Sequence, residues 1–356
     1  MIKDYGSTNF ITGLRAIAAS LVVVIHTAAF RDFGWVGNNI TDAGLCGVYI
    51  FFVISGFSVT QSYSQENKYT SYLYRRLLRI VPLYYICITI TFFLITTQII
   101  PPSTWAADGI NSYDAHNLIL HYLFISYLDA GTANTILNVE WTLPIEVFWY
   151  LLLPLFFPKN FRWIHVIVGA LIILSLPSAI KFLLNEFSIG PELISTQFLP
   201  FRYGIYFLLG VIAHTIRSRH QQALSSYLTP ILALGIILAG LNLLFSIGNT
   251  PRMMAFATFF VVIGYNAQFS WLARVFESKI LLFVGTLSYG LYLVHYPILE
   301  ILRKTDIPAN GLIGFSIIMA LSILTSYLLT RFVEQPIIGL LKNKFYRKAT
   351  ISKGED

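Results

Sequence analysis

The 356 residues are 56% hydrophobic and 12% charged, too little polar surface for a water-soluble globular chain of this length. The formal net charge of +7 comes from bases clustered in short segments between apolar runs, a pattern of membrane topology that leaves no role for nucleic acid. Cys46 and Cys87 have neither the spacing of a metal site nor the number of a disulfide framework.

Apolar runs lie near 11–30, 45–63, 80–99, 140–157, 163–184, 200–216, 226–246, 252–268, 280–301 and 311–332, each about long enough to cross a hydrocarbon layer of ~30 Å as a helix. The predicted fold is all-α, a polytopic integral membrane protein of about ten transmembrane helices. Its membrane domain covers 1–341 and a basic tail covers 342–356. The first run has a secretory-signal flavour, but Arg15 lies inside it and many spans follow, so a retained helix is expected.

With both termini in the cytoplasm, the inner segments Lys68–Arg79, Lys159–Arg162, Arg217–His220 and Arg274–Lys279 and the tail with Lys342, Lys344, Arg347 and Lys348 are the basic ones, as the positive-inside rule asks. The outer loops are then 31–44, 100–139, 185–199, 248–251 and 303–310, where Arg303 and Lys304 are the exception. The 100–139 stretch is too long for a connector, and its apolar part Leu118–Leu128 is too short to span. It predicts a re-entrant or interfacial element on the outer side, where an acceptor would bind.

Within the first run, Arg15 and His26 lie eleven residues apart. Eleven steps of about 100° return to the same helix face, and at ~1.5 Å per residue the two sit about 16 Å apart along the axis. Polar groups at such depths are costly unless they face a partner, a cavity or a substrate path. His26 is the strongest catalytic candidate, because a neutral imidazole can take a proton from a hydroxyl or act as a nucleophile.

In chain order, Arg75, Arg76 and Arg79 gather at the inner start of the third run, as an anion site suited to phosphate or as an anchor to lipid headgroups. Trp141 precedes Glu146 at the outer start of the fourth run, where the carboxylate either binds a hydroxylated acceptor or caps the helix. Ser288, Tyr292 and His295 fall on one helical stripe, with His295 a structural or supporting histidine. Glu334 ends the tenth run at the depth of Arg15, and a buried Arg15 to Glu334 pair is expected. No Gly-x-Ser-x-Gly elbow, His-Glu-x-x-His or phosphate-binding glycine loop competes with these residues.

Taken together, Leu14-Arg15-Ala16 leading to His26, Gly47 to Gly56 as GVYIFFVISG, Arg75 to Pro82 as RRLLRIVP, Trp141-Thr142-Leu143 to Glu146, Ser288 to His295, and Glu334 before Pro336 resemble the acyltransferase family 3 membrane proteins over nearly the whole chain. That family includes bacterial O-acetyltransferases of surface polysaccharides. The resemblance implies a multi-pass protein of the bacterial inner membrane that takes an acetyl group from cytoplasmic acetyl-CoA and delivers it to a hydroxyl of an extracytoplasmic glycan or lipid-linked saccharide. It implies His26, Arg15 and Glu334 as catalytic residues, with His26 a general base or transient acyl carrier. Arg15, Arg75, Arg76 and Arg79 would bind acetyl-CoA, and Trp141, Glu146, Tyr292 and His295 would face the acceptor.

No metal is implied, and the expected partners are membrane lipids and either a separate extracytoplasmic transferase or further copies of this chain. Thr142, Pro144 and Gln335 depart from the family's usual residues, which bears on acceptor contacts more than on acyl transfer. The alternative class is a transporter or flippase of a lipid-linked sugar, which also uses intramembrane His and Arg but should show paired broken helices in two related halves.

Overall fold

The computed structural model describes residues 8–66, 68–103, 113–158, 162–187, 194, 196–220, 225–245, 250–265 and 274–339, and no strand occurs among them. The expected basic tail 342–356 and most of the inner segment at 159–162 lie outside the described residues. Helices run as α1 (Asn9–His26), α2 (Gly34–Asp42), α3 (Cys46–Gln65), α4 (Tyr69–Thr96), α5 (Ala115–Tyr122), α6 (Thr142–Phe156), α7 (Trp163–Glu186), α8 (Gly204–His220), α9 (Leu228–Phe245), α10 (Thr250–Gly264), α11 (Lys279–Leu302) and α12 (Gly311–Leu329).

Each of the ten apolar runs contains a helix among the described residues. Seven helical segments are long and apolar enough to cross a membrane, among them α1, α4, α7, α9 and α11. Two further apolar helices, Thr142–Phe156 and Pro251–Gly264, are shorter. The protein is a polytopic all-helical membrane protein. On α7, Leu171, Leu174, Phe182 and Leu183 are exposed, as befits a surface solvated by lipid chains rather than water.

α1 packs on α3 and α11, and its Phe10, Leu14, Ala16, Ala18, Ala19 and Val22 to Val24 are buried. Without a hydrophobic drive inside lipid, such packing depends on close backbone approach. Gly285 on α11 lies so near the Thr12 carbonyl, and Gly47 on α3 so near the Ala18 carbonyl, that a Cβ at either would collide. Three apolar clusters result, and Phe51 of α3 borders all of them.

The first helix stops at His26 rather than continuing to 30. Ala28 takes a left-handed conformation (φ 50°), and the Ala29 amide donates back to Val24 O at 3.1 Å, the reversal that ends a helix. The Gly311 amide donates to Thr27 O at 2.8 Å, tying this end to the start of α12. His26 therefore sits in a fixed last turn. At the other end of the chain, α12 continues through a π-helical turn at Thr330–Glu334, a distortion that re-aims side chains.

Two connectors differ from simple loops. The basic segment before the third run is helical from Tyr69, so Arg75, Arg76 and Arg79 ride on one 28-residue helix that runs through Pro82. The 100–139 stretch forms α5, capped by the Asp114 side chain, which accepts from Asn117 N at 3.0 Å, followed by an irregular, buried segment. Such backbone is tolerated at membrane depth only when covered by protein.

Candidate active site

A cavity in the middle of the bundle is lined by Arg15 from α1, Phe51, Phe52 and Ser55 from α3, Arg79 from α4, Thr142, Glu146 and Tyr150 from α6, and Ser288, Tyr289 and Tyr292 from α11. Its charged end holds Arg15, Arg79 and Glu146. The Glu146 carboxylate accepts hydrogen bonds of 2.6 Å from both Ser55 Oγ and Tyr150 Oη, so it faces the cavity rather than capping α6. The Arg15 guanidinium donates to Ser58 Oγ at 3.3 Å, and the Ser58 carbonyl accepts from Arg76.

The three loop arginines have separate fates. Arg75 pairs with Glu66 at 2.7 Å on the exposed side. Arg76 is buried, bonded to Ser58 O, with its guanidinium carbon 5.6 Å from the Tyr150 ring centroid. Arg79 is exposed and faces the cavity beside Arg15. The expected Arg15 to Glu334 pair is not formed. Glu334 accepts from Thr330 Oγ1 at 3.2 Å within the π turn, and its nearest cation in electrostatic terms is Arg79. The π turn that carries Glu334 packs on α4, the helix of Arg79.

At the far wall of the cavity, Tyr292 donates to Val139 O at 2.7 Å and shares a 3.0 Å hydrogen bond with Thr142 Oγ1. Its ring lies 6.0 Å from that of His295. His26 Nδ1 and His295 Nε2 are 2.9 Å apart, and His295 Nδ1 is 3.2 Å from Leu291 O. A carbonyl can only accept, so His295 Nδ1 carries its proton and His295 Nε2 is an acceptor. His26 therefore donates from Nδ1, which leaves its Nε2 with a free lone pair. The Tyr296 ring stands edge-on to His26, with centroids 5.2 Å apart.

The structure does not bring Arg15 and His26 into one chamber. Arg15 lines the cavity and His26 does not; Phe51 and Tyr292, with rings 5.9 Å apart, form part of the cavity wall, and Tyr292 is the lining residue next to His295, the partner of His26. Trp141 sits outside the cavity in an aromatic cluster with Phe52, Phe198 and Tyr203. No group of three His, Cys, Asp or Glu side chains is placed to hold a metal ion among the described residues.

Sequence reading missed Ser55, Ser58 and Tyr150. It also missed the support beneath Val139. The fully buried Glu140 carboxylate accepts from the amides of Ile136, Leu137 and Val139 at 2.8 to 3.1 Å and lies 3.4 Å from His121 Nε2. Tyr150 was within reach, being one helical turn after Glu146. Glu140 carried no signal beyond standing next to Trp141.

The acyltransferase domain of family 3 matches residues 8–331, which hold Arg15, Arg79, Glu146, His26 and His295. The chain belongs to acyltransferase family 3. It is similar to the peptidoglycan O-acetyltransferase OatA of Listeria monocytogenes, 25% identical over 370 residues that cover 92% of this chain and 55% of that protein. It is also similar to the O-acetyltransferase OatA of Staphylococcus aureus strain NCTC 8325, 27% identical over 373 residues, 91% of this chain and 56% of that protein. The chain spans about half the length of these relatives. No solved structure matches it.

Proposed function

We propose that this protein is a membrane O-acetyltransferase that moves an acetyl group from cytoplasmic acetyl-CoA to a hydroxyl of an extracytoplasmic glycan in the bacterial inner membrane. The observation that carries the reading is the hydrogen-bonded pair His26 and His295, which leaves a lone pair on His26 Nε2, next to the cavity lined by Arg15, Arg79 and Tyr292. Membership of acyltransferase family 3 and similarity to named O-acetyltransferases support the reaction class.

In this reading the chain crosses the membrane about ten times with both termini inside. Arg79 and Arg15 bind the phosphates of acetyl-CoA through charge-assisted hydrogen bonds. Arg76 and Arg75 hold the inner end of α4 through Ser58 and Glu66, and Glu334 balances the charge of Arg79. The thioester arm passes the Phe51 and Tyr292 wall to reach His26.

There the acceptor oxygen forms the new ester bond and the thioester C–S bond breaks. The hydroxyl proton moves to His26 Nε2 and then to the leaving thiolate. As a transient carrier, His26 would instead take the acetyl group on Nε2 first and pass it to the oxygen. Glu146, Tyr292 and Trp141 orient the acceptor side, and His295 fixes the tautomer of His26.

Sidedness tests the proposal. With labelled acetyl-CoA supplied outside sealed inverted vesicles, the expected product is acetylated glycan inside them. Equal labelling of right-side-out vesicles by external acetyl-CoA would contradict an inner donor site.

A further inference from the structure

Bases on the outer side of a membrane protein run against the positive-inside rule, so each one calls for a reason. In the topology of the proposed function, Arg31 is paired with Asp42 and Arg303 with Glu300, both at 2.5 Å, and Lys304 donates to Gln98 O at 2.9 Å. Arg202 and Arg252 are different. Both are exposed, and neither has an acidic partner within ion-pair distance among the described residues. Arg252 lies in the first turn of α10, and Arg202 lies in the 3-10 turn Pro200–Tyr203 that leads into α8. There the helix dipole disfavours a cation and favours an anion.

The two arginines converge. They line the same groove and both act electrostatically on Tyr49 and Tyr206. Away from them the groove is apolar, with walls from Ile173, Leu174 and Pro177 of α7, Ile205 and Leu209 of α8, and Phe256 of α10. Positions 202 to 209 span about two helical turns, roughly 10 Å at ~1.5 Å per residue. A twin guanidinium mouth above an apolar trough complements a phosphate joined to a hydrocarbon chain.

Aromatic rings continue from this groove to the central cavity. Tyr206 meets Tyr49 at 4.8 Å between centroids, Tyr49 meets Tyr203 at 6.2 Å, and Tyr203 meets Phe52 at 5.3 Å, with Trp141 5.3 Å from Tyr203. Phe52 is itself a wall of the cavity. Such a row gives flat apolar faces with phenol hydroxyls along the way, surfaces suited to sugar rings.

We infer that the groove between α7, α8 and α10 holds the lipid phosphate of a lipid-linked glycan acceptor, with Arg202 and Arg252 on the phosphate and the glycan lying across Tyr49, Tyr203 and Trp141 toward the cavity. This deepens the proposed function and rests on its orientation and reaction class.

The test is equilibrium binding of a radiolabelled polyisoprenyl phosphate to the full chain in phosphatidylcholine nanodiscs, with acetyl-CoA binding measured on the same preparations. Replacing both arginines (R202Q with R252Q) is expected to weaken binding by about tenfold or more, the loss of charge-assisted hydrogen bonds worth about 1.4 kcal/mol or more. Acetyl-CoA binding should stay at the wild-type level, and excess phosphatidylglycerol should not displace the probe. Unchanged probe binding in the double variant, or displacement by phosphatidylglycerol at equal concentration, would overturn the inference. Ile205→Trp, which fills the trough and keeps both arginines, is the second variant and decides by the same criterion if the first folds poorly. Wild-type protein that binds the lipid phosphate through the arginines but no acetyl-CoA would sink the acyltransferase reading and leave the lipid site standing.

Discussion

His26 and His295 come from the first and eleventh helices, yet Nδ1 of one stands 2.9 Å from Nε2 of the other. The Leu291 carbonyl sets the direction of that hydrogen bond, and with it the nitrogen of His26 that keeps a lone pair. The pair joins two sequence motifs, 269 residues apart, into one oriented imidazole pair.

His295→Gln keeps an acceptor for His26 Nδ1–H, whereas His295→Leu removes it. Acetyl transfer is expected to fall by about tenfold to a hundredfold in the leucine variant and by clearly less in the glutamine variant, a fraction of the about 10²-fold or more owed to the base itself. Initial rates in membrane vesicles at matched expression provide the comparison. Equal rates for the two variants would show that the hydrogen bond does not orient His26.

The cations of the inner helix are expected to separate by function. Arg79→Gln and Arg15→Gln should each weaken acetyl-CoA binding by about tenfold, the scale of one charge-assisted hydrogen bond. Arg75→Gln, which loses an exposed pair with Glu66, should change binding by less than about threefold. Calorimetric titration of purified protein reads all three, and a large effect at Arg75 would place the CoA phosphates on the exposed side of α4 instead.

The apolar helices were legible because a membrane-spanning helix must cover its backbone with about twenty apolar residues, which leaves a plain mark in sequence. Arg15 and His26 stood out for the same reason, since polar groups are rare in such runs. Tertiary detail was not. Nothing local shows that the helix turns back at Ala28, that helix α4 begins at Tyr69, or that Glu334 sits in a π turn packed on α4. The spread of Arg75, Arg76 and Arg79 onto Glu66, Ser58 and the cavity depends on neighbours from α3 and α6 that spacing along one helix does not reveal.

Glu140 is the clearest residue of that hidden kind. Glu140→Ala leaves the amides of Ile136, Leu137 and Val139 without their acceptor in a buried segment, at a cost of about 3 kcal/mol or more. Val139 O is the acceptor of Tyr292, so activity should fall together with stability, while Glu140→Gln, which keeps one acceptor, should lose less of both. Thermal unfolding in detergent alongside transfer assays is the check. Wild-type stability for Glu140→Ala would mean that the segment does not depend on this carboxylate.

Topology follows from exposed positions near opposite ends of the helices. Native Cys46 and Cys87 are buried, so a single cysteine introduced at Asp306 should react with a membrane-impermeant maleimide in intact cells, and one introduced at Arg75 only after the membrane is opened. The reverse order would invert the proposed orientation and place the arginines outside.

The most direct measurement is transfer of radiolabelled acetyl from acetyl-CoA to envelope glycan in vesicles, wild-type protein against His26→Ala at matched expression. The account predicts label that falls by about a hundredfold or more without His26, with acetyl-CoA binding retained. Wild-type transfer by the alanine variant would contradict it and remove His26 from the chemistry.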